Sequence, residues 1–266
     1  MFLSAILKTA DASKRRVGWK MKTSVKIALL IVIALSVALV VLQSGLLYTP
    51  VALDQREDRT VCSSNENVVI DVSIFSGKIE IQPTTDDQIE LIYTIKAPPG
   101  ELSTIITQTD ETKNEDQTTI ITRANDNIKY VAPNHSADLL IKLPLDSQYN
   151  LTLLSGNGDI TLSKLNLNKV RASTTQGNIN IESSDSTTSI EALSMNGGIR
   201  IALAKDTLFY VAATVVGTGS IEYFGIDLDT EIATQTRLKA STSAGEGNLI
   251  LTLMSTNDKI TIEYLT

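Results

Sequence analysis

Residues Ser155–Leu162 read "SGNGDITL", and the same pattern returns as "TQGNINI" (175–181) and "MNGGIRI" (195–201). Each copy is a glycine turn followed by a short run in which apolar and polar residues alternate. Three further copies align with these: "FSGKIEI" (75–81), "GTGSIEY" (217–223) and "GEGNLIL" (245–251). Their matching apolar positions are Ile79, Ile160, Ile179, Ile199, Ile221 and Leu249, at spacings of 81, 19, 20, 22 and 28. A shorter echo, "TNDKITI" (256–262), closes the chain. Ten of the fourteen glycines lie in these turns, so their placement follows a rule. A backbone with φ > 0, which glycine adopts without a Cβ clash, is the simplest such rule. It marks Gly77, Gly158, Gly177, Gly197, Gly219 and Gly247 as structural turn glycines.

A second alternating run precedes each turn: Leu151 and Leu153, Val170 and Ala172, Ile190 and Ala192, Val211 and Ala213, Leu238 and Ala240. Period two along both runs makes each unit a strand, a turn and a strand. One face is apolar, and the other carries mainly Thr, Asn, Lys, Arg and Glu. A unit of about 20 residues cannot bury its apolar face alone, but stacking on its neighbours does so. Residues 146–266 therefore read as a β-solenoid of stacked strand-turn-strand coils, and the fold class as all-β. Hairpins of an ordinary sandwich, which also alternate with glycine turns, are the competing reading. Residues 65–145 form an N-terminal β region expected to pack on, or open into, the first coil, with 110–116 as an exposed acidic turn.

Charge divides the chain. Lys8, Lys14, Arg15, Arg16, Lys20, Lys22 and Lys26 stand against one acid, Asp11, in the first 26 residues. Residues 27–48 carry no charge and, as a helix, rise about 33 Å, enough to cross a bilayer's hydrocarbon core. The remaining residues hold 16 basic and 29 acidic side chains, a net charge of −13. The expected order is a basic cytoplasmic tail (1–26), an uncleaved transmembrane helix (27–48), a linker (49–64), the β region and the solenoid. Positive residues stay inside, so the protein is placed in the cell membrane, single-pass, with its N-terminus cytoplasmic and its body outside. A cleaved signal peptide, the rival, has a shorter apolar core and a small-residue cleavage site. The acidic body repels phosphate, which argues against nucleic acid as a partner. The lipid contact is through residues 27–48.

The stretches "DLLIKLPLDSQYNLTLLSGNGDITL" (138–162), "VRASTTQGNINI" and "IEALSMNGGIRI" resemble the adhesin-like domain of bacterial and archaeal envelope proteins. That family joins an apolar strand ending in Leu-Pro, here Leu143 and Pro144, to repeats of small residue, Gly, x, Ile. The resemblance covers about 65–266. It implies a β-solenoid, often held by one membrane helix, and brings no catalytic residues.

The residues themselves point to no chemistry. His135 is the only histidine and sits in a polar stretch, "APNHSAD", where a solvated side chain is expected. Nucleophile systems built on His, or a histidine metal site, have no partners for it. The glycine turns lead into strands and not into helix N-termini, so they are not phosphate loops. A calcium β-roll would need an acid in successive turns, whereas the equivalent positions are Asp159, Asn178, Gly198, Ser220 and Asn248. Glu182, Glu191 and Glu222 are scattered. Neither an enzyme nor a cofactor is expected. Cys62 is the only cysteine, so no intrachain disulfide forms. Asn134 ("NHS") and Asn150 ("NLT") are candidate glycosylation sites on an outward-facing body. Two functions remain: a surface binding or adhesive module for an unknown envelope ligand, or an accessory or sensory domain partnering another membrane protein.

Overall fold

Alternation along each strand requires two apolar faces to meet, and the structure, a computed structural model, closes them into two facing sheets. It describes residues 52–127, 134–184, 186–242 and 249–265. The tail and the apolar segment 27–48 lie outside the described residues. Among the described residues no helix is long and apolar enough to cross a membrane.

In chain order the strands are β1 (Asp54–Ser63), β2 (Asn67–Ile74), β3 (Ile79–Thr84), β4 (Gln88–Ala97), β5 (Ile105–Lys113), β6 (Gln117–Asp126), β7 (Ser136–Pro144), β8 (Gln148–Asn157), β9 (Ile160–Leu162) and β10 (Leu167–Gln176). They continue with β11 (Ile179–Glu182), β12 (Ser189–Asn196), β13 (Ile199–Leu203), β14 (Phe209–Val215), β15 (Ile221–Phe224), β16 (Leu228–Ala233), β17 (Arg237–Thr242), β18 (Leu249–Ser255) and β19 (Ile260–Tyr264). Sheet A has the order β1-β4-β7-β3-β9-β11-β13-β19-β15, and sheet B the order β16-β17-β14-β18-β12-β10-β8-β2-β6-β5. Each coil is a sheet-B strand, a turn and a sheet-A strand, and neighbouring coils pair in parallel.

The coils are not stacked in chain order. The β2/β3 coil, first in the chain, lies between β6/β7 and β8/β9. The β18/β19 coil, last in the chain, slots between β12/β13 and β14/β15. Both the first and the last coil in chain order are thus paired with another coil on two sides. Antiparallel strands finish both sheets at one end, β4 and β1 in sheet A and β5 in sheet B, and finish sheet B at the other with β17 and β16, where sheet A ends on the parallel strand β15. At three of the four sheet edges this covers the parallel strand that the stack would leave open to further pairing.

The threading explains the irregular spacings. The gap of 81 residues between Ile79 and Ile160 holds the excursion that builds the outer coil. Leu249 is not the equivalent of Ile199. It pairs with Phe209 in sheet B, and Ile260 takes the sheet-A position beside Ile199 and Ile221. The closing echo is therefore the turn of a full coil, whereas Gly247 and Asn248 lie outside the described residues.

Two boundaries read from sequence change. Residues 54–63 are strand β1 and not linker. As an edge strand, mostly exposed, β1 shows no apolar alternation by which it could be recognised. The acidic stretch begins inside β5, which continues to Lys113. Strands of the region 65–145 run on into the same two sheets as the later coils.

Inward rows of Ile and Leu stack from coil to coil: Leu139, Ile79, Ile160, Ile179, Ile199, Ile260 and Ile221 are register neighbours. All but Ile221 are buried. One inward row of sheet B is instead hydroxylic in its middle: Ile74, Ser155, Thr174, Ser194, Ser255, Val215. Each hydroxyl donates to the carbonyl of a turn glycine in the preceding coil. Ser155 reaches Gly77 at 2.9 Å, Thr174 reaches Gly158 at 2.9 Å, Ser194 reaches Gly177 at 2.9 Å and Ser255 reaches Gly197 at 3.2 Å. The hydroxyls are buried, where an unpaired polar group is costly, and the glycine carbonyls supply their partners. Thr174→Val keeps the shape and removes the donor, so a loss of about 1–2 kcal/mol is expected. Ser173→Ala, on the outward side, should change little. Urea midpoints of the two variants test the ladder.

At the turn between β7 and β8 the Tyr149 hydroxyl donates to the Pro144 carbonyl at 2.7 Å. Tyr149 is wholly buried, so this bond gives its phenol the partner that burial demands.

Candidate binding surface

Chemistry-bearing residues fall in three places: the turns, the cap at the β1/β5 end, and the outward faces. In the turns, Gly77, Gly158, Gly177 and Gly197 all have positive φ, with 134° at Gly77 and 142° at Gly177. Gly219 is not among the positive-φ glycines, but a Cβ there would lie 2.1 Å from the Asp258 carbonyl oxygen. The residue after the glycine also works between coils. The Asp159 carboxylate accepts the Asn178 amide at 2.7 Å, and the Asn178 side chain accepts the Gly198 amide at 2.8 Å. These side chains therefore act as rungs joining successive turns. Among the described residues no group of His, Cys, Asp and Glu is arranged to hold a metal ion.

His135 is not solvated. It is 2% exposed and lies between two carboxylates. Its Nδ1 is 2.7 Å from Asp126 Oδ2 and its Nε2 is 2.8 Å from Glu101 Oε2. These partners stand at the end of β6 and in the β4–β5 connection, and neither is visible from the sequence around the histidine. A neutral imidazole has one N–H and cannot donate to both carboxylates, so the pair selects the imidazolium. Burial works against that charge, but the Asp126 and Glu101 carboxylates outweigh it and raise the pKa above the ordinary value. A group with a raised folded pKa stabilises fully below its unfolded value near 6.5, and its contribution is lost as pH rises through the folded value. The gap in urea midpoint between wild type and His135→Gln should thus be larger at pH 6 than at pH 9. An equal gap at both would show that the bonds do not depend on the charge.

The same end is tied across the sheets by Tyr93. Its hydroxyl lies 2.9 Å from Thr122 Oγ1, and burial pushes the phenol up to about 12. Arg56 of β1 donates to the Leu102 and Ile105 carbonyls, and Thr107 of β5 donates to Asp58 at 2.8 Å. The end is a structural clasp.

The outward face of sheet B is the broadest surface, and it is not simply polar. One row crosses nine strands in register: Gln108, Arg123, Ser73, Leu154, Ser173, Leu193, Met254, Thr214, Arg237. Leu154 is 38% and Met254 42% exposed. Two residues along the strands, on the glycine-turn side, stand Ile106, Met195 and Val216, all exposed. Two residues the other way, Asp71, Thr152, Arg171, Glu191, Thr252 and Ala212 form the next row. A shallow groove of about 280 Å³ runs here, lined by Asn150, Leu151, Thr152, Lys169, Val170, Arg171, Ser189 and Glu191. Arg171 pairs with Glu191 at 3.6 Å, and among the described residues Lys169 makes no ion pair. Asn168 donates to Asn150 at 3.0 Å and Thr188 to Asn168 at 2.9 Å, a polar ladder at the groove's rim. Asn150 therefore lies within a strand, half-buried and hydrogen-bonded, whereas Asn134 is exposed just ahead of β7.

The chain belongs to the Toastrack DUF4097 family, which matches residues 65–263. Its fold is similar to that of a candidate cell adhesion protein from Clostridium sporogenes, at a TM-score of 0.64 and 11% identity, over 80% of this chain and 100% of that one. A candidate adhesin from Bacteroides fragilis is similar over 80% of this chain and 97% of its own, at 12% identity and a TM-score of 0.31. No curated protein is similar in sequence.

Proposed function

We propose that the body is a non-catalytic binding module at the cell surface, and that its binding face is the outward side of sheet B. One observation carries this: seven coil strands and two cap strands align, on a single face, exposed apolar side chains beside cationic and amide groups, among them Lys169, which makes no ion pair among the described residues. A face needed only for solubility would carry charge and polar residues throughout. Adhesion is the role given to the similar proteins, and it agrees with a rigid stack presenting a long surface. The body is held outside a membrane by residues 27–48, with the basic tail inside.

Two experiments test this. Purified body should retain a partner from intact envelopes, and Arg171→Glu with Met254→Ser should lose it, while Asn180→Asp on sheet A should not. Equal retention by all three would remove sheet B as the site. Protease added to intact cells should digest the body and spare the tail. A protected body, or a mature N-terminus near residue 50, would overturn the placement.

A further inference from the structure

The body has 29 acidic and 16 basic residues beyond residue 48, yet the long row of sheet B contains no acid. Toward one end it carries Arg123, beside the terminal Gln108, and at the other end Arg237, while Leu154, Leu193 and Met254 lie in its central part. Three of the flanking positions on the turn side, Ile106, Met195 and Val216, are apolar and exposed. Nine strands at about 4.8 Å make this strip about 38 Å long. Chain threading creates it: Met254 comes between Leu193 and Thr214 only because β18 is inserted between β12 and β14.

We propose that this strip docks the body, side-on, against an anionic lipid bilayer. The inference rests on the assignment of sheet B as the binding face and names the partner of its turn-side half. Charge complementarity points to an anionic partner, because acids are excluded from the strip while they dominate the body. Extent points to a surface and not to a small ligand, because the row crosses nine consecutive strands on the outward side of one sheet. An apolar centre between guanidinium groups suits the boundary between acyl chains and phosphates, where apolar side chains enter and cations meet the headgroups. Methionine at two of the exposed positions adapts to an irregular surface.

The core of the body is made of its own residues and Ala52–Thr266 forms a compact unit by itself, so residues 52–266 can be examined without the apolar segment that would itself enter lipid. Sedimentation with vesicles of phosphatidylcholine alone and of equal phosphatidylcholine and phosphatidylglycerol measures the docking. The body should bind the anionic vesicles only. Arg123→Glu with Arg237→Glu should weaken binding at least about tenfold, and Leu154→Ser with Met254→Ser about fivefold. Lys164→Glu with Lys205→Glu, two exposed residues in the loops away from the glycine turns, changes net charge equally and should leave binding within about twofold. No sedimentation with anionic vesicles overturns the proposal, and so does an equal loss in the lysine pair, which would mean general charge attraction. A dimer in vesicle-free solution that Leu154→Ser with Met254→Ser abolishes would also overturn it, since the strip would then join two copies. In any of these cases, retention of an envelope partner through Arg171 would leave the binding face itself standing.

Discussion

Ile179→Asp is expected to lower the stability of the body by about 5 kcal/mol, a large part of the 5–15 kcal/mol typical of a folded domain. Ile179 is wholly buried, between Ile160 and Ile199 in the inward row of sheet A. A carboxylate there has no cation and no amide within the row, so it must be desolvated without compensation or bind a proton. At about 2–3 kcal/mol per molar in urea, the midpoint should fall by roughly 2 M. Asn180→Asp, one residue on, faces outward between Thr161 and Arg200 and should stay within about 0.5 kcal/mol. Equal mild effects would mean that inward and outward faces are exchanged.

Gly177→Ala should cost about 2–4 kcal/mol, more than strain alone accounts for. Its φ is 142°, and a Cβ would stand 2.3 Å from the Gly158 carbonyl oxygen of the preceding coil. Backbone on both sides of the contact leaves no flexible side chain to yield, so the coils must separate locally. Gly100 isolates the other contribution, because its φ is 85° and nothing lies within 4 Å of the added Cβ. Gly100→Ala should therefore show strain only, about 1 kcal/mol. If the two substitutions prove equal, close approach of coils is not what the turn glycines serve.

The repeating glycines and the Ile positions were legible because both obey a local rule: a turn needs a residue without Cβ, and a half-buried strand alternates. What was hidden depends on residues far apart in the chain. Ser155, Thr174, Ser194 and Ser255 look like ordinary polar residues near a turn. Their regular place three residues before the turn position was the available signal, and it acquires meaning only when the preceding coil's glycine carbonyl is beside it. Leu249 matched the motif by its neighbouring glycines, but a pattern of period two cannot tell a strand before the turn from one after it. His135 looked solvated because Glu101 lies 34 residues away. The acid-free strip was invisible for the same reason as the threading, since no local rule says that the last coil of the chain is not the last of the stack.

That threading is the claim on which the binding face depends, and paired cysteines test it directly. Glu191 and Thr252 are register neighbours on the outward side of β12 and β18, and Ala212 of β14 lies beyond Thr252. Adjacent strands are about 4.8 Å apart, within disulfide reach, whereas strands separated by a third stand about 10 Å apart and outside it. The native Cys62 will not compete, being buried, with burial and then the Glu111 carboxylate pushing its thiol up to about 11. Under mild oxidation, Glu191→Cys with Thr252→Cys should form an intramolecular disulfide in the folded body, and Glu191→Cys with Ala212→Cys should not. The opposite outcome, with β12 bridged to β14, would show coils stacked in chain order and would dissolve the strip.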